Sequence, residues 1–206
     1  IDGVTPRNLE FHGEPINDPH AWFNPRNAWI YVKNIRDAVT QIDPAHADEY
    51  SLRADLYRYQ LLSLEKWIGT TVNRIPRNRR VLVTHHDAFG YFADAFNFTA
   101  LSPVGWTTGE LTGVSIADKQ RIVDQIRETG VPAIFVESST NRELLDAIAR
   151  ESGVELGAEL YSDAMGGPGT AGETYIGMMR ENVLRIVGAL DESSAAAPVT
   201  AETNSE

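Results

Sequence analysis

Cysteine is absent from the 206 residues, which removes disulfides, thiolate metal sites and cysteine nucleophiles at once. Any metal must therefore be held by His, Asp, Glu or water. No run of about 18 apolar residues occurs, so no membrane span is expected, and no basic segment precedes an apolar one as in a signal peptide. Positive charge is scarce. Against 29 Asp+Glu stand 18 Lys+Arg, and the net -11 repels nucleic-acid phosphates and anionic lipid headgroups, so no nucleic-acid partner is expected. What is present is apolar mass: 42% hydrophobic and 9% aromatic residues suffice for one or two globular domains with a buried core.

The chain opens on Ile1 rather than Met and enters a turn or loop at Asp2-Gly3-Val4-Thr5-Pro6, so it reads as a fragment. Residues 191–206 hold four acids, no base and no aromatic. Such a composition cannot bury enough apolar surface to offset its ordering entropy, and a disordered acidic tail is expected. Between these ends, Asn24 as N-cap and Pro25 at the first helical position open a helix carrying Ile30, Val32, Ile35, Val39 and Ile42 at mostly helical spacing. Asp43-Pro44 breaks it. A longer helical pattern follows from about Ala45 to Asn73, with Leu52, Leu56, Tyr59, Leu62, Leu64 and Trp67 recurring. At that length it spans roughly 40 Å, more than a small domain needs, and suggests a connecting spine.

From Pro76 onward, strands alternate with helices. VLVT (81–84) precedes a helix-like DAFGYFADAF; helix 115–129 precedes AIFVE (133–137); helix 141–152 precedes the weaker GVELGAELY (153–161), and a Gly-rich loop leads into YIGMMRENVLRIVGAL. This rhythm predicts βαβ crossovers and an α/β fold, a parallel sheet with helices on both faces. Ligands bind such sheets outside the carboxyl ends of the strands. There the sequence places His85-His86-Asp87, Glu137-Ser138-Ser139 and Ser162-Asp163. Each has an ordinary structural reading on its own, as a capping, turn or solvated residue. Their convergence on one rim points to a site, and imidazole with carboxylate suits Zn(II), Mn(II) or Fe(II). Of the other histidines, His12 and His46 read as solvated. His20, in Asp18-Pro19-His20-Ala21-Trp22, differs: Asp18 can orient its ring and Trp22 can exclude water.

The strings NDPHAWFNP, VTHHDAFGYF, VPAIFVESS and ELYSDAMGGPGTAGETYIGMM occur in that order between about residues 1 and 190. Together they resemble the carboxy-terminal portion of the metal-binding substrate-binding proteins of ABC transporters, cluster A-I. The resemblance implies two α/β lobes joined by one long helix, with a divalent ion clamped between them. It divides the chain into a trailing part of the amino-terminal lobe (1–43), the connecting helix (44–75), the carboxy-terminal metal-binding lobe (76–190) and the tail (191–206). It implies metal ligation by His20, His86 and Asp163. His86 is chosen because the family's ligand directly precedes the Asp-Ala-Phe-Gly-Tyr-Phe stretch, while His85 takes a supporting or solvent-facing role. Around them, Asp18 and Trp22 would serve His20, and Asp87 would open the following helix or orient an imidazole. Glu137, Ser138 and Arg142 would tie the Asp163 loop to the helix after His86, with Glu110 capping an element elsewhere. The family's first histidine has no counterpart, since neither His12 nor His46 matches its motif. Incomplete coordination and weaker binding than in a longer parent are expected.

The function so implied is capture of a divalent metal, zinc favoured over manganese or iron, and its delivery to an ABC transporter permease. A periplasmic or lipid-anchored extracellular location, a monomeric full-length state and no enzymatic activity go with it. One alternative is a metal-dependent hydrolase, in which His85, His86 and Asp163 hold an ion that activates water and Glu137 acts as acid or base. A second is a surface adhesin or interaction protein.

Overall fold

A computed structural model describes residues 1–11, 14–103, 116–138 and 142–191. His12, Glu110, the Ser139–Asn141 opening of the predicted fifth helix and nearly all of the expected disordered tail, residues 192–206, lie outside the described residues.

After the turn expected at residues 2–6 comes an antiparallel hairpin that the sequence reading does not anticipate, β1 (Asn8–Phe11) and β2 (Glu14–Asn17). A short 3-10 turn, Ala21–Phe23, leads into α1 (Pro25–Ile42). Helix α1 starts as expected: the Asn24 side chain accepts the Arg26 N–H at 2.9 Å, and Pro25 occupies the first helical position, where no N–H is needed. Pro44 ends it, and α2 (Ala47–Val72) runs for 26 residues, about 39 Å at the helical rise. Asp48 and Glu49 in its first turn complement the helix dipole.

The α/β portion contains β3 (Val81–Val83), α3 (Gly90–Phe96), β4 (Thr99–Leu101), α4 (Ile116–Thr129), β5 (Ala133–Ile134), α5 (Glu143–Ser152), β6 (Glu155–Leu156) and α6 (Tyr175–Leu190). Strand β3 pairs in parallel with β4, and β5 in parallel with β6. The Phe135 N–H donates to the Val83 carbonyl at 2.8 Å, joining the two pairs, and a parallel bridge links Glu137 to Leu160. The strands are shorter than the apolar runs that encode them, although single cross-strand bonds continue past their ends, from Thr84 N–H to the Leu101 carbonyl and from Leu160 N–H to the Val136 carbonyl.

Side-chain alternation divides the core into two layers. Leu82 and Phe135 enter one cluster with Ile68, Phe92, Met178, Val183 and Ile186 from α2, α3 and α6, and with Phe89 just before α3. Val81, Val83, Ile134 and Val136 face the other way, onto Ile122, Ile126, Leu145 and Ile148 of α4 and α5. Successive strand residues thus serve opposite faces, as the period of two requires. The strands are covered on both sides, and His86, Glu137 and Asp163 follow at their carboxyl ends.

The spine helix is buried along only part of its length. Leu61, Leu64, Ile68 and Val72 are buried, whereas Leu52, Leu56, Tyr59 and Leu62 are exposed. On α1, Ile35 and Ile42 are exposed as well. Helical periodicity located these apolar residues correctly, but nothing among the described residues covers them.

Candidate metal centre

Three segments deliver three side chains to one point. Phe23 packs on Phe89 with ring centroids 4.3 Å apart, seating the turn that follows His20 against the segment that follows His86. The Tyr175 hydroxyl donates to the Trp22 carbonyl at 2.7 Å and holds the same turn from the α6 side. His86 lies just past β3, where the Thr84 hydroxyl donates to its carbonyl at 3.0 Å. Asp163 follows the Leu160–Tyr161 segment. That segment is bracketed by Asn182 of α6, whose Oδ1 accepts the Tyr161 N–H at 2.9 Å and whose Nδ2 donates to the Tyr161 carbonyl at 2.8 Å.

One donor atom from each of His20, His86 and Asp163 lies within 4.8 Å of the others. His20 Nε2 is 3.5 Å from Asp163 Oδ1, and His86 Nε2 is 3.6 Å from Asp163 Oδ2. These separations exceed a good hydrogen bond. They are close to the roughly 3.4 Å between two atoms that each sit about 2.0–2.1 Å from one tetrahedral ion. Both imidazoles are buried, and Asp163 is the more open member. Beside Asp163, a cleft of about 230 Å³ is lined by Trp22, Ser162, Met165, Tyr175 and Met178, among others.

Each ring is held from behind by a carboxylate. Asp18 Oδ1 accepts from the His20 N–H at 2.9 Å and lies 2.7 Å from His20 Nδ1. Glu137 Oε1 accepts the His86 N–H at 3.0 Å, and its Oε2 lies 2.5 Å from His86 Nδ1, an ion pair rather than a well-aligned hydrogen bond. Contacts this short place a proton on each Nδ1 and turn both Nε2 atoms toward Asp163. When the rings are neutral, each Nε2 therefore offers its lone pair there.

Burial alone would lower the His86 pKa, but the Asp163 and Glu137 carboxylates outweigh it and raise the value to about 9. His20 follows the same pattern: burial opposes, Asp163 and Asp18 prevail, and its pKa is raised. The facing imidazoles of His20 and His86, against partial burial, hold Asp163 well below the usual carboxylate range. With both rings neutral, Asp163 brings a negative charge to the two Nε2 atoms and Glu137 a second one behind His86, while Asp18 and Asp87 share Arg7. A divalent cation matches that charge.

Several expected supporting residues stand elsewhere. Asp87 does not open a helix; α3 begins at Gly90 without a side-chain cap, and Asp87 pairs with Arg7 instead. Arg142 is exposed and reaches Asp146 on its own helix at 3.4 Å, so it does not tie down the Asp163 loop. Ser138 is exposed, and its backbone N–H donates to the Leu160 carbonyl. His85 is buried, not solvent-facing, and among the described residues neither ring nitrogen has a hydrogen-bond partner; burial lowers its pKa and keeps it neutral. His46 sits far along the chain on an exposed Asp43 pair. Trp22 stands edge-on to the His20 ring at 5.3 Å, as expected of a wall. Arg7 and Asn182 lie outside the recognised strings, and Tyr175 lies within one without a role assigned to it. Their roles come from partners 11 to 153 residues away in sequence.

Residues 2–189 match the family described as ZnuA, zinc-uptake complex component A, periplasmic. The manganese-binding lipoprotein MntA of Bacillus subtilis (strain 168) is 40% identical over 179 residues, 84% of this chain and 58% of that protein. The zinc-binding protein TroA of Treponema pallidum (strain Nichols) is 38% identical over 179 residues, covering 84% of this chain and 57% of TroA. The iron-binding protein YfeA of Yersinia pestis is 34% identical over 186 residues, with 88% and 58% covered. The solved structure of the periplasmic zinc-binding protein TroA superposes with a TM-score of 0.82 at 34% identity, covering 89% of this chain and 67% of that one. The chain thus spans under three fifths of the length of these curated relatives.

Proposed function

The chain belongs to the ZnuA family of periplasmic zinc-uptake components, and from that premise we propose that His20, His86 and Asp163 bind a divalent transition-metal ion as cargo. The observation that carries this reading is the convergence of two carboxylate-oriented Nε2 atoms on one carboxylate. Two nitrogens and an oxygen, with no sulfur, suit zinc first and manganese or iron next. Relatives named for zinc, manganese and iron are compatible with all three. Remaining coordination positions on the Asp163 side are taken by water or a further ligand. We read residues 1–43 and 76–190 as the two sides of the site and 44–75 as the helix that joins them.

The protein to which this chain corresponds would work outside the cytoplasm as a monomeric substrate-binding component, handing the ion to an ABC permease. It would capture and release rather than catalyse. In support, Glu137, the acid that the hydrolase alternative would use, is turned onto the back of His86 and away from the open side at Asp163.

Elemental analysis of protein purified without chelator tests the reading. The wild-type chain should retain about one divalent ion per molecule, displaced by added zinc, and His20→Ala, His86→Ala and Asp163→Ala should each lose it. Metal retained equally by all four proteins would remove the assignment.

A further inference from the structure

Arg7 belongs to none of the recognised motifs, yet its guanidinium reaches carboxylates of both histidine-bearing segments. Nη1 donates to Asp18 Oδ2 at 2.9 Å and to Asp87 Oδ1 at 3.3 Å, while Nη2 donates to Asp87 Oδ2 at 3.3 Å. Nε lies 3.9 Å from Asp94 of α3. The Arg7 backbone is fixed at both ends: its N–H donates to the Tyr91 hydroxyl at 2.8 Å, and its carbonyl accepts the Asp18 N–H at 2.7 Å. Asp18 is fully buried, and its other oxygen holds the His20 ring; Asp87 directly follows His86.

The space for this guanidinium exists because residue 90 is glycine. A Cβ built there would lie 2.1 Å from Arg7 Cζ and 2.2 Å from Nη1. Arg7 is the flexible partner, so it rather than the helix would give way. Gly90 is the first residue of α3, and its backbone conformation does not itself demand glycine. Close approach is the reason for the missing side chain.

We propose that Arg7 is a positioning residue of the metal centre, bridging Asp18 and Asp87 across Gly90 so that His20 and His86 keep one separation before the ion arrives. The inference rests on the metal reading above. A planar guanidinium can hold two carboxylates at once, which a lysine ammonium does with far less geometric control. Arg7 also cancels the Asp18 charge, leaving that carboxylate to orient the ring rather than compete for the ion.

The test is calorimetric titration of this chain with zinc, comparing wild type, Arg7→Met, Gly90→Ala, the double variant and His86→Ala, at a temperature where each metal-free protein is folded by circular dichroism. Arg7→Met should weaken zinc binding about tenfold or more, within the range seen when supporting partners of metal ligands are lost. Gly90→Ala should do the same by displacing the guanidinium, although alanine favours the helix. The double variant should be no weaker than Arg7→Met, because the guanidinium atoms nearest the new methyl group are gone. Zinc affinity within twofold of wild type in Arg7→Met, or additive losses in the double variant, overturns the inference and leaves the metal site standing. Undiminished binding by His86→Ala overturns the metal reading itself and the role of Arg7 with it.

Discussion

At the scale of the residue, the centre behaves as a proton site that a metal ion must displace. The folded-state pKa of His86, about 9, exceeds its ordinary value of 6.5, so protonated His86 stabilises the metal-free fold. That contribution is complete below pH 6.5 and is lost as pH rises through about 9. Asp163 has the opposite sign: its pKa is held below 3.8, so its stabilisation is present above that value and is lost as pH falls in acid. Zinc needs neutral imidazole, so at pH 7 its binding releases a proton from His86, and affinity should climb from pH 6 and level off above about 9. Calorimetry in two buffers of different ionisation enthalpy counts those protons; an affinity flat across this range would rule out histidine ligation. Recognisable motifs mark His86 and Asp163 in the sequence, and His86 also stands shortly after a readable apolar strand. Nothing marks Arg7, because its carboxylates lie 11 and 80 residues away and meet it only in the folded chain.

At the scale of the element, helices were far more legible than strands. Helix α6 occupies 175–190, the span its apolar spacing predicts, and α2 falls within two residues of its expected ends at both termini. Helical bonds are local, so periodicity and caps decide them. The hairpin β1–β2 escaped notice because Pro15 and several polar residues interrupt any alternation, and β4 is only three residues long. Both exist through cross-strand pairing that a local pattern does not carry. Asn182 shows how an element can be completed by a side chain: a buried amide on α6 satisfies both backbone groups of Tyr161, two residues before Asp163. Replacing it with leucine strips partners from a donor and an acceptor, and should destabilise the chain by about 2–4 kcal/mol. Urea denaturation at unchanged m-value reads this directly. A loss under ~0.5 kcal/mol would mean that water replaces the amide at little cost.

At the scale of the whole molecule, the centre joins the segment around His20 to the α/β portion that supplies His86 and Asp163. An ion bound there stabilises the connection between them, and by linkage the folded state gains about 2.7 kcal/mol when zinc stands at 100 times its dissociation constant. For a chain of this size that amounts to a rise of roughly 5–10 °C in Tm, removed by chelator and missing in His86→Ala. An unchanged Tm with bound zinc would mean that the unfolded chain binds the ion as tightly as the folded one. Sequence by itself determined the α/β class, the long helix and the His/Asp chemistry of the centre: helix periodicity is local, and a chain without cysteine has few other transition-metal donors. Only the tertiary structure decided that His85 is buried while Arg142 stays outside the site, and that Arg7 rather than a helix terminus receives Asp87. Those outcomes depend on which side of a packed backbone each side chain leaves and which distant charge it then meets, and neither is written in spacing along the chain.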